Sequence, residues 1–450
     1  VLKNPNLSVL LIDKGRAVTA RHCPIKDKKI KQCPVIKDNE PGCLPACSIT
    51  CGFGGAGAYS DGKFNITSEF GGWLTDYLPA NEVEDVIRYV DSLYLKHGAT
   101  KDITDPTTDK VKEIEHRGYA VGLKLLRAKV RHLGTEENLR IMTEMQEVLK
   151  EHIDIQFNTE VEDIIVEDNT IKGIKLAKGD IITASKVLLA PGRDGATWLD
   201  AVFKKHGLDL YNNQVDIGVR VETSNIVMDE INKNLYEGKF IYNTSVGTRV
   251  RTFCSNPSGH VVIENHEGTM MANGHAYHDP KLGSDNTNFA LLVSHVFSEP
   301  FNQPNEFAHQ VAQLANKLSN GSIIVQRYGD IQKGRRTTEK RLKEGNTVPT
   351  LPEAVPGELG LVLPYNTMKS IVEMIEALDH VTPGIANEHT LLYGVEAKFY
   401  SARPKVREGF ETLVDGLYVA GDGAGLTRGL AQAGANGILV ARDIIKRLGE

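Results

Sequence analysis

The chain has 450 residues, 41% apolar and 24% charged, with 42 glycines and a formal net charge of -6. That length exceeds one ordinary hydrophobic core, so two domains are the default. The acidic balance argues against an extended nucleic-acid footprint. No apolar run reaches the ~18–20 residues that span a bilayer, and the composition is that of a soluble globular enzyme.

In chain order, Leu7-Ser8-Val9-Leu10-Leu11-Ile12-Asp13-Lys14-Gly15 comes first and reads as an apolar strand closed by an acid. This suits the second strand of a dinucleotide fold, whose terminal carboxylate takes ribose hydroxyls. Asp13 and its neighbour Lys14 are therefore candidate cofactor contacts. A first strand and its G-x-G-x-x-G turn belong roughly 20 residues earlier. The chain opens at Val1 without them, and the expectation is a fragment lacking its first βα unit.

Cys23, Cys33, Cys43, Cys47 and Cys51 fall close together, and only Cys254 lies elsewhere. Cys43-x3-Cys47-x3-Cys51, with Cys33 or Cys23 as fourth ligand, has the donors for zinc or an iron–sulfur cluster. The spacing matches no stringent paired C-x-x-C motif, so a redox disulfide and packed free thiols stay open beside the metal reading. Structural disulfides fit poorly, because nothing else points to secretion and cytosolic thiols stay reduced. The same reasoning gives a cytoplasmic location.

Gly52-Phe53-Gly54-Gly55-Ala56-Gly57-Ala58-Tyr59-Ser60-Asp61-Gly62-Lys63 follows at once. Its glycine spacing imitates a dinucleotide fingerprint, but no apolar strand precedes it, and that reading is rejected. Gly54, Gly55 and Ala56 instead offer backbone amides to a pyrophosphate and a ring system, with Ser60 and Lys63 as further contacts. A tight surface loop is the plainer alternative.

Residues 80–152 are helical in pattern: 81–97, 109–126, and a segment where Leu139, Met142, Met145 and Leu149 recur. Thr135 is the expected N-cap of the last. Residues 153–192 turn to strands at 153–159, 161–166, 171–176 and 180–182, then a buried strand ending Ala190-Pro191-Gly192-Arg193. Val161, Ala190, Pro191 and Gly192 are candidate cofactor contacts. Strands at 215–222, 240–244, 250–254, 260–265 and 289–294 read as an antiparallel sheet, and 301–389 mix amphipathic helices with Pro/Gly-rich loops.

On the presumed substrate side stand Arg220 and Glu222, the group His275, Tyr277 and His278, and the pair Arg335 and Arg336. Histidine serves as acid or base near neutral pH, and paired arginines suit an anionic substrate. The plainer readings are an Arg220–Glu222 salt bridge and structural histidines.

The last element is Leu417-Tyr418-Val419-Ala420-Gly421-Asp422-Gly423-Ala424-Gly425, running on through Gly429, Leu430, Gln432, Ala433 and Gly437. It reads as a buried strand, a glycine turn carrying one aspartate, and a helix. Glycines let a backbone approach a ligand closely, and a helix start presents free N–H groups and partial positive charge. Asp422 sits among those donors, able to hold a sugar-like hydroxyl. Gly421, Asp422, Gly423, Gly429 and Leu430 complete the candidate cofactor residues.

This strand–GD–helix unit resembles the closing motif of glutathione-reductase-type FAD oxidoreductases. There the aspartate binds the ribitol chain and the helix start faces the flavin N1/O2 edge. The meander and strand that end at Ala190-Pro191-Gly192 resemble the internal A-T-G motif of that class, with Pro191 replacing threonine and removing a donor. From Leu7 onward the chain resembles the FAD-utilising dehydrogenases of bacteria and archaea with a cysteine-rich N-terminal segment and the C-G-F-G-G-A-G-A-Y-S-D-G-K loop. Arg131-His132-Leu133-Gly134-Thr135, Gly329-Asp330 with Gly334-Arg335-Arg336-Thr337-Thr338, and Tyr393-Gly394-Val395-Glu396 share in the likeness.

The resemblance implies FAD and an oxidoreductase reaction, and supplies neither substrate nor catalytic base. An iron–sulfur centre in the cysteine segment would pass single electrons to the flavin. The expected fold is α/β: a discontinuous Rossmann-like FAD-binding domain (1–60, 127–212 and 390–450), a helical insertion (61–126), and an inserted antiparallel-sheet α+β substrate domain (213–389). Lys63, His275 and Lys398 are the catalytic candidates. Glu396, Lys398 and Arg403 precede the C-terminal motif and are expected near the ring by chain continuity. The leading function is an FAD-dependent dehydrogenase or reductase of a small organic substrate, with NAD(P)H or a protein as electron donor. A flavin monooxygenase is the runner-up, although Ala190-Pro191-Gly192-Arg193-Asp194-Gly195 matches its G-A-D-G motif poorly. A flavin and cysteine redox sensor is the non-enzyme alternative.

Overall fold

The computed structural model describes residues 7–24, 29, 46–60, 62–235, 237–266, 268–277 and 280–449. The chain forms two compact units, Val1–Thr104 with Ala128–Tyr211 and Ser401–Glu450, and Asp105–Arg127 with Asn212–Tyr400.

In the first unit, Leu10–Ile12 pairs in parallel with Asp154–Gln156, and Leu417–Val419 pairs in parallel with Val187–Leu189. Leu417, Tyr418 and Val419 are fully buried, as expected of a parallel strand covered on both faces. The meander Val161–Glu167, Thr170–Leu176 and Ile181–Thr183 stands where the sequence placed it. Helix Ala80–Lys96 turns Val83, Val86, Ile87 and Val90 into the same apolar cluster as Ala431, Ala435 and Val440 of helix Leu430–Leu448. At Gly434 a Cβ would lie 2.8 Å from Val90 Cγ1, so the two helices cross where one has no side chain.

This packing moves two expected boundaries. The segment from 61 to Thr104 belongs with the cofactor unit, because Ala80–Lys96 buries its apolar face on the C-terminal helix. Only Asp105–Arg127 joins the second unit. Residues from 390 to Tyr400 also belong to the second unit. There Leu391–Lys398 pairs with Val215–Ser224 on one side and Ile324–Arg327 on the other. Thr135 is the first residue of helix Thr135–Lys150, and Gly134 at φ 79° takes the cap position.

The second unit is an eight-stranded sheet. Its order is Val355–Pro356, Ile324–Arg327, Leu391–Lys398, Val215–Ser224, Asn286–His295, Arg249–Asn256, Lys239–Asn243 and Leu123–Leu126. All neighbours are antiparallel except Ile324–Arg327 with Val355–Pro356. The expected helix 109–126 ends at Tyr119; Gly122 turns at φ 83° and Leu123–Leu126 becomes an edge strand. A hairpin of His260–His266 with Thr269–His275 includes a strand the sequence reading did not place.

Successive strand residues point to opposite faces. Val215, Ile217, Val219 and Val221 enter the apolar cluster with helix residues Ala308, Ala312, Ile371 and Met374, which leaves Asp216, Arg220 and Glu222 buried on the other face.

His295, at the end of Asn286–His295, lies 3.2 Å from Thr367 Oγ1, and burial lowers its pKa below 6.5 against a weaker upward pull from Asp216. The unfolded chain therefore binds a proton that the folded one refuses. Stability is expected to fall as pH drops below 6.5 toward the depressed folded value. Urea midpoints measured from about pH 7.5 to 5.5 check this, and His295→Gln should flatten that part of the profile.

Candidate functional site

The site is assembled from turns in the first unit. Asp13 follows strand Leu10–Ile12, and its Oδ1 accepts the Gly15 N–H at 2.7 Å. A Cβ at Gly15 would sit 2.4 Å from the Gly52 nitrogen, so the turn of the acid and the glycine-rich loop touch backbone to backbone. Gly52, at φ 102°, is equally confined: its Cβ would lie 2.5 Å from the Arg16 carbonyl oxygen.

Arg21 holds this contact from behind. It is 1% exposed, and its guanidinium donates to the carbonyls of Ser48 (2.9 Å), Ile49 (2.8 Å), Phe53 (2.8 Å) and Gly55 (2.9 Å). The Tyr59 hydroxyl donates to the Arg21 carbonyl, and its ring lies 4.8 Å from the guanidinium carbon. One rigid cationic fork thus shapes both sides of the loop.

The far end of the loop meets the C-terminal motif. At Gly57 a Cβ would fall 2.5 Å from Leu430 Cδ2. Asn138 Nδ2 fastens the loop to helix Thr135–Lys150 through the carbonyls of Gly57 (2.7 Å) and Ala58 (3.2 Å). Asp422 accepts the Thr427 hydroxyl at 2.7 Å and the Gly429 N–H at 3.3 Å, while the Gly421 N–H donates to Asn436 Oδ1 at 2.8 Å. The pairing of Leu417–Val419 with Val187–Leu189 delivers Gly423 onto Gly192, where a Cβ would lie 2.2 Å from the Gly192 oxygen. Two residues further, Asp194 accepts the Cys51 thiol at 2.8 Å and the Thr50 hydroxyl at 3.4 Å. The turns of Asp13, Cys51, Gly192 and Asp422 therefore form one continuous wall within this unit.

That wall fits FAD. Gly55 (φ 55°), Gly192 (φ 67°), Gly421 (φ 83°) and Gly429 (φ 112°) have nothing within 4 Å of where a Cβ would stand. Bare backbone thus faces open space in conformations that L side chains rarely adopt. The Asn436 Nδ2, fully buried beside Gly421, has no protein partner. Helix Leu430–Leu448 adds a first turn whose N–H groups lack intrahelical acceptors. The donor set suits phosphates and a bare ring edge, and the two carboxylates suit sugar hydroxyls. Burial raises the pKa of both. At Asp13 the N–H groups of Gly15 and Gly52 and the charge of Arg21 oppose it, and at Asp422 the bonds from Thr427 and Gly429 do.

Several expected contacts are committed elsewhere. Lys14 forms an ion pair with Glu160 at 3.0 Å. Val161 packs against the apolar cluster under the meander. Ser60 donates to the Gly57 carbonyl at 2.7 Å and closes its own loop. Lys63 opens strand Lys63–Ile66 opposite His132 and is half-buried. Ala56 and Ala190 are exposed, and a Cβ at Gly54 would lie 3.0 Å from Ala58 Cβ. Arg403 binds Asp76 at 2.7 Å and covers the Trp73 ring at 5.4 Å. Cys33, Cys43 and His278 lie outside the described residues. Among the described residues Cys23, Cys47 and Cys51 are free thiols, and no three His, Cys, Asp or Glu side chains gather to hold a metal ion. Arg21, Asp194 and Asn436 were missed. Only Asp194, just after the A-P-G turn, carried a readable signal.

In the second unit the expected Arg220–Glu222 pair does not form. Both side chains point to one face, but each has nearer partners on neighbouring strands. Arg220, fully buried, makes a bidentate pair with Glu396 (2.7 Å on both arms), and Lys398 joins Glu396 at 3.4 Å. Glu222 accepts the Tyr393 hydroxyl at 2.5 Å, Asn286 Nδ2 at 3.1 Å and the Thr350 hydroxyl. Asp216 accepts the Tyr400 hydroxyl and Arg251 at 2.8 Å. Arg335 and Arg336 do not converge: Arg335 binds buried Asp330 at 2.7 Å, and Arg336 is exposed. Burial pushes the Asp330 pKa up, but Arg335, Thr337 and Arg341 together hold it below the usual value. His275 is exposed and meets Tyr277 edge-on at 4.8 Å. Lys398 and Arg403, expected together, fall in different units.

Two carboxylates joined by bare glycine turns in a Rossmann-like α/β unit are a site that fits FAD. Residues 214–399 match the family described as FAD-dependent protein, C-terminal domain-like, and residues 92–256 match glucose inhibited division protein A. Over residues 214–399 the chain is thus similar to a family of FAD-dependent proteins. An uncharacterized protein of Clostridium beijerinckii (strain ATCC 51743 / NCIMB 8052) is 29% identical over 424 residues, covering 89% of this chain and 71% of that relative. Among solved structures, L-proline dehydrogenase from P. horikoshii is 12% identical at TM-score 0.30, covering 81% of this chain and 78% of its own. Glycine oxidase from Geobacillus kaustophilus is also 12% identical at TM-score 0.30, covering 85% of each chain. No helix among the described residues is long and apolar enough to cross a membrane.

Arg21→Met leaves buried carbonyls without donors and is expected to destabilise the first unit by about 3 kcal/mol, read by urea unfolding. Glu396→Gln strands the Arg220 charge and should cost about 3–5 kcal/mol, whereas Arg220→Met with Glu396→Leu should cost less.

Proposed function

We propose that this protein is an FAD-dependent dehydrogenase or reductase acting on a small organic substrate, with NAD(P)H or a protein as its electron partner. The observation that carries this reading is the meeting of Asp13, the loop 52–59, the Gly192 turn and Asp422 in one wall of one unit. Bound FAD supplies the carrier of hydride or electrons. The chain's own groups bind and orient. Asp422 accepts from ribitol hydroxyls and Asp13 from the adenosine ribose. The glycine backbone admits close approach, and the start of helix Leu430–Leu448 offers N–H groups to the electron-rich ring edge.

The second unit supports a substrate-side role through its sheet. Asp216, Arg220 and Glu222 stand buried on the face opposite the apolar core, and each is held by partners from a different strand. A face fixed in this way keeps its charges in place without solvent relaxation, which is what positioning chemistry requires.

The absorption spectrum of the purified protein tests the assignment. Flavin bands near ~450 nm are expected, and reduction should follow addition of donor and substrate classes screened in turn. Asp422→Ala removes charge-assisted bonds and should weaken FAD binding by about 10–100-fold, measured by flavin fluorescence. Ribose hydroxyls favour the ionised acids, so FAD affinity is also expected to fall as pH drops through the raised pKa values of Asp13 and Asp422. A colourless protein with no affinity for FAD would overturn the reading.

A further inference from the structure

We propose that Cys47 and Cys51 form a reversible disulfide whose closure weakens FAD binding. The backbone sets the pair up. The Cys51 N–H donates to the Cys47 carbonyl at 2.9 Å, a single α-turn that puts both side chains on one side. One such turn separates the two Cα atoms by about 6 Å, inside the range a disulfide spans. Both thiols are free and half-buried.

Their surroundings are unequal. The Cys51 thiol donates to Asp194 Oδ2 at 2.8 Å, with Thr50 Oγ1 on the other oxygen at 3.4 Å. Held on the Asp194 carboxylate, the Cys51 sulfur keeps its proton until a base takes it. Asp194 is that base. Cys47 is then the attacking sulfur and Cys51 the resolving one. With a low-molecular-weight disulfide such as oxidised glutathione, the Cys47 thiolate attacks one sulfur, expels one glutathione thiolate and forms a mixed disulfide. Cys51 passes its proton through Asp194 to the second glutathione sulfur as it displaces it, and Asp194 ends as a carboxylate. Two cysteine thiols are oxidised, one glutathione disulfide is reduced to two thiols, and the protons are conserved.

Closure reaches the cofactor wall by two routes. It removes the thiol donor from Asp194 and bares a carboxylate two residues from Gly192, whose backbone rests on Gly423 beside Asp422. It also pulls on the Cys51–Gly52 peptide, which touches Gly15 behind Asp13 with no room for a Cβ. A bared negative charge and a shifted turn both disfavour a diphosphate-bearing ligand. The affinity effect rests on the FAD site above, whereas the disulfide does not.

The test equilibrates the full chain in glutathione buffers of graded ratio, quenches it with an alkylating reagent and maps the cysteines by mass. FAD affinity is measured by fluorescence in the fully reduced and fully oxidised states. A Cys47–Cys51 linkage appearing in one two-electron transition is expected, with FAD bound about 3–10-fold more weakly once it closes. Cys47→Ser should abolish both the linkage and the affinity change, and Asp194→Asn should let the Cys47 mixed disulfide accumulate. Cys51 remaining alkylatable at every ratio, or pairing instead with Cys23, Cys33 or Cys43, would overturn the switch. So would a closed disulfide with unchanged FAD affinity. Absence of FAD binding in both states, with the disulfide still forming, would overturn the cofactor site and leave the thiol chemistry standing.

Discussion

Contacts that leave no room for a side chain organise the first unit. Gly15 against Gly52, Gly192 against Gly423, and Gly57 against Leu430 are all approaches at which a Cβ would sit 2.5 Å or less from its neighbour. Interiors are close-packed and relax little, so the two backbone contacts fix how the strand ends and loops meet, while at Gly57 the neighbour is the end of the Leu430 side chain. The two carboxylates take their positions from them. Asp13 is aimed by the turn at Gly15, and Asp422 by the turn that rests on Gly192. Other glycines of the same wall face open space. One residue type thus serves both close packing and ligand access.

Arg21 shows how a loop without regular secondary structure is held. Its guanidinium donates to four backbone carbonyls. A buried cation with such a set of acceptors is satisfied through dipoles. The loop's shape then depends on side chains that lie outside it, Arg21 at one end and Asn138 at the other. The cysteine pair sits at the edge of this arrangement, so chemistry at Cys51 acts directly on backbone that shapes the cofactor wall.

The second unit solves a different problem. Its Val215–Ser224 strand is buried on both faces, and one face carries three charges. Each charge is answered from a separate place: Asp216 by Arg251 and Tyr400, Arg220 by Glu396, and Glu222 by Tyr393, Asn286 and Thr350. Buried ion pairs contribute little net stability, but removing one partner is costly. They therefore hold register across the sheet more than they add to its free energy.

The sequence by itself determined the class of cofactor domain, the ends of its key strands and the two acids, Asp13 and Asp422, that stand at their turns. Those signals are local: an apolar run, a closing acid, and glycines where the backbone must turn. Periodicity also placed Ala80–Lys96 and the meander to within a residue or two at most boundaries. Tertiary structure decided what local pattern cannot encode. It sent Leu123–Leu126 from an expected helix into a sheet edge, because an open edge at Lys239–Asn243 was there to pair with. It gave Arg220 to Glu396 rather than to Glu222, since a neighbouring strand brings a carboxylate closer than residues two apart on one strand can come. Arg21 and Asp194 owe their roles to carbonyls and a thiol far away in the chain, and only the folded backbone brings these together.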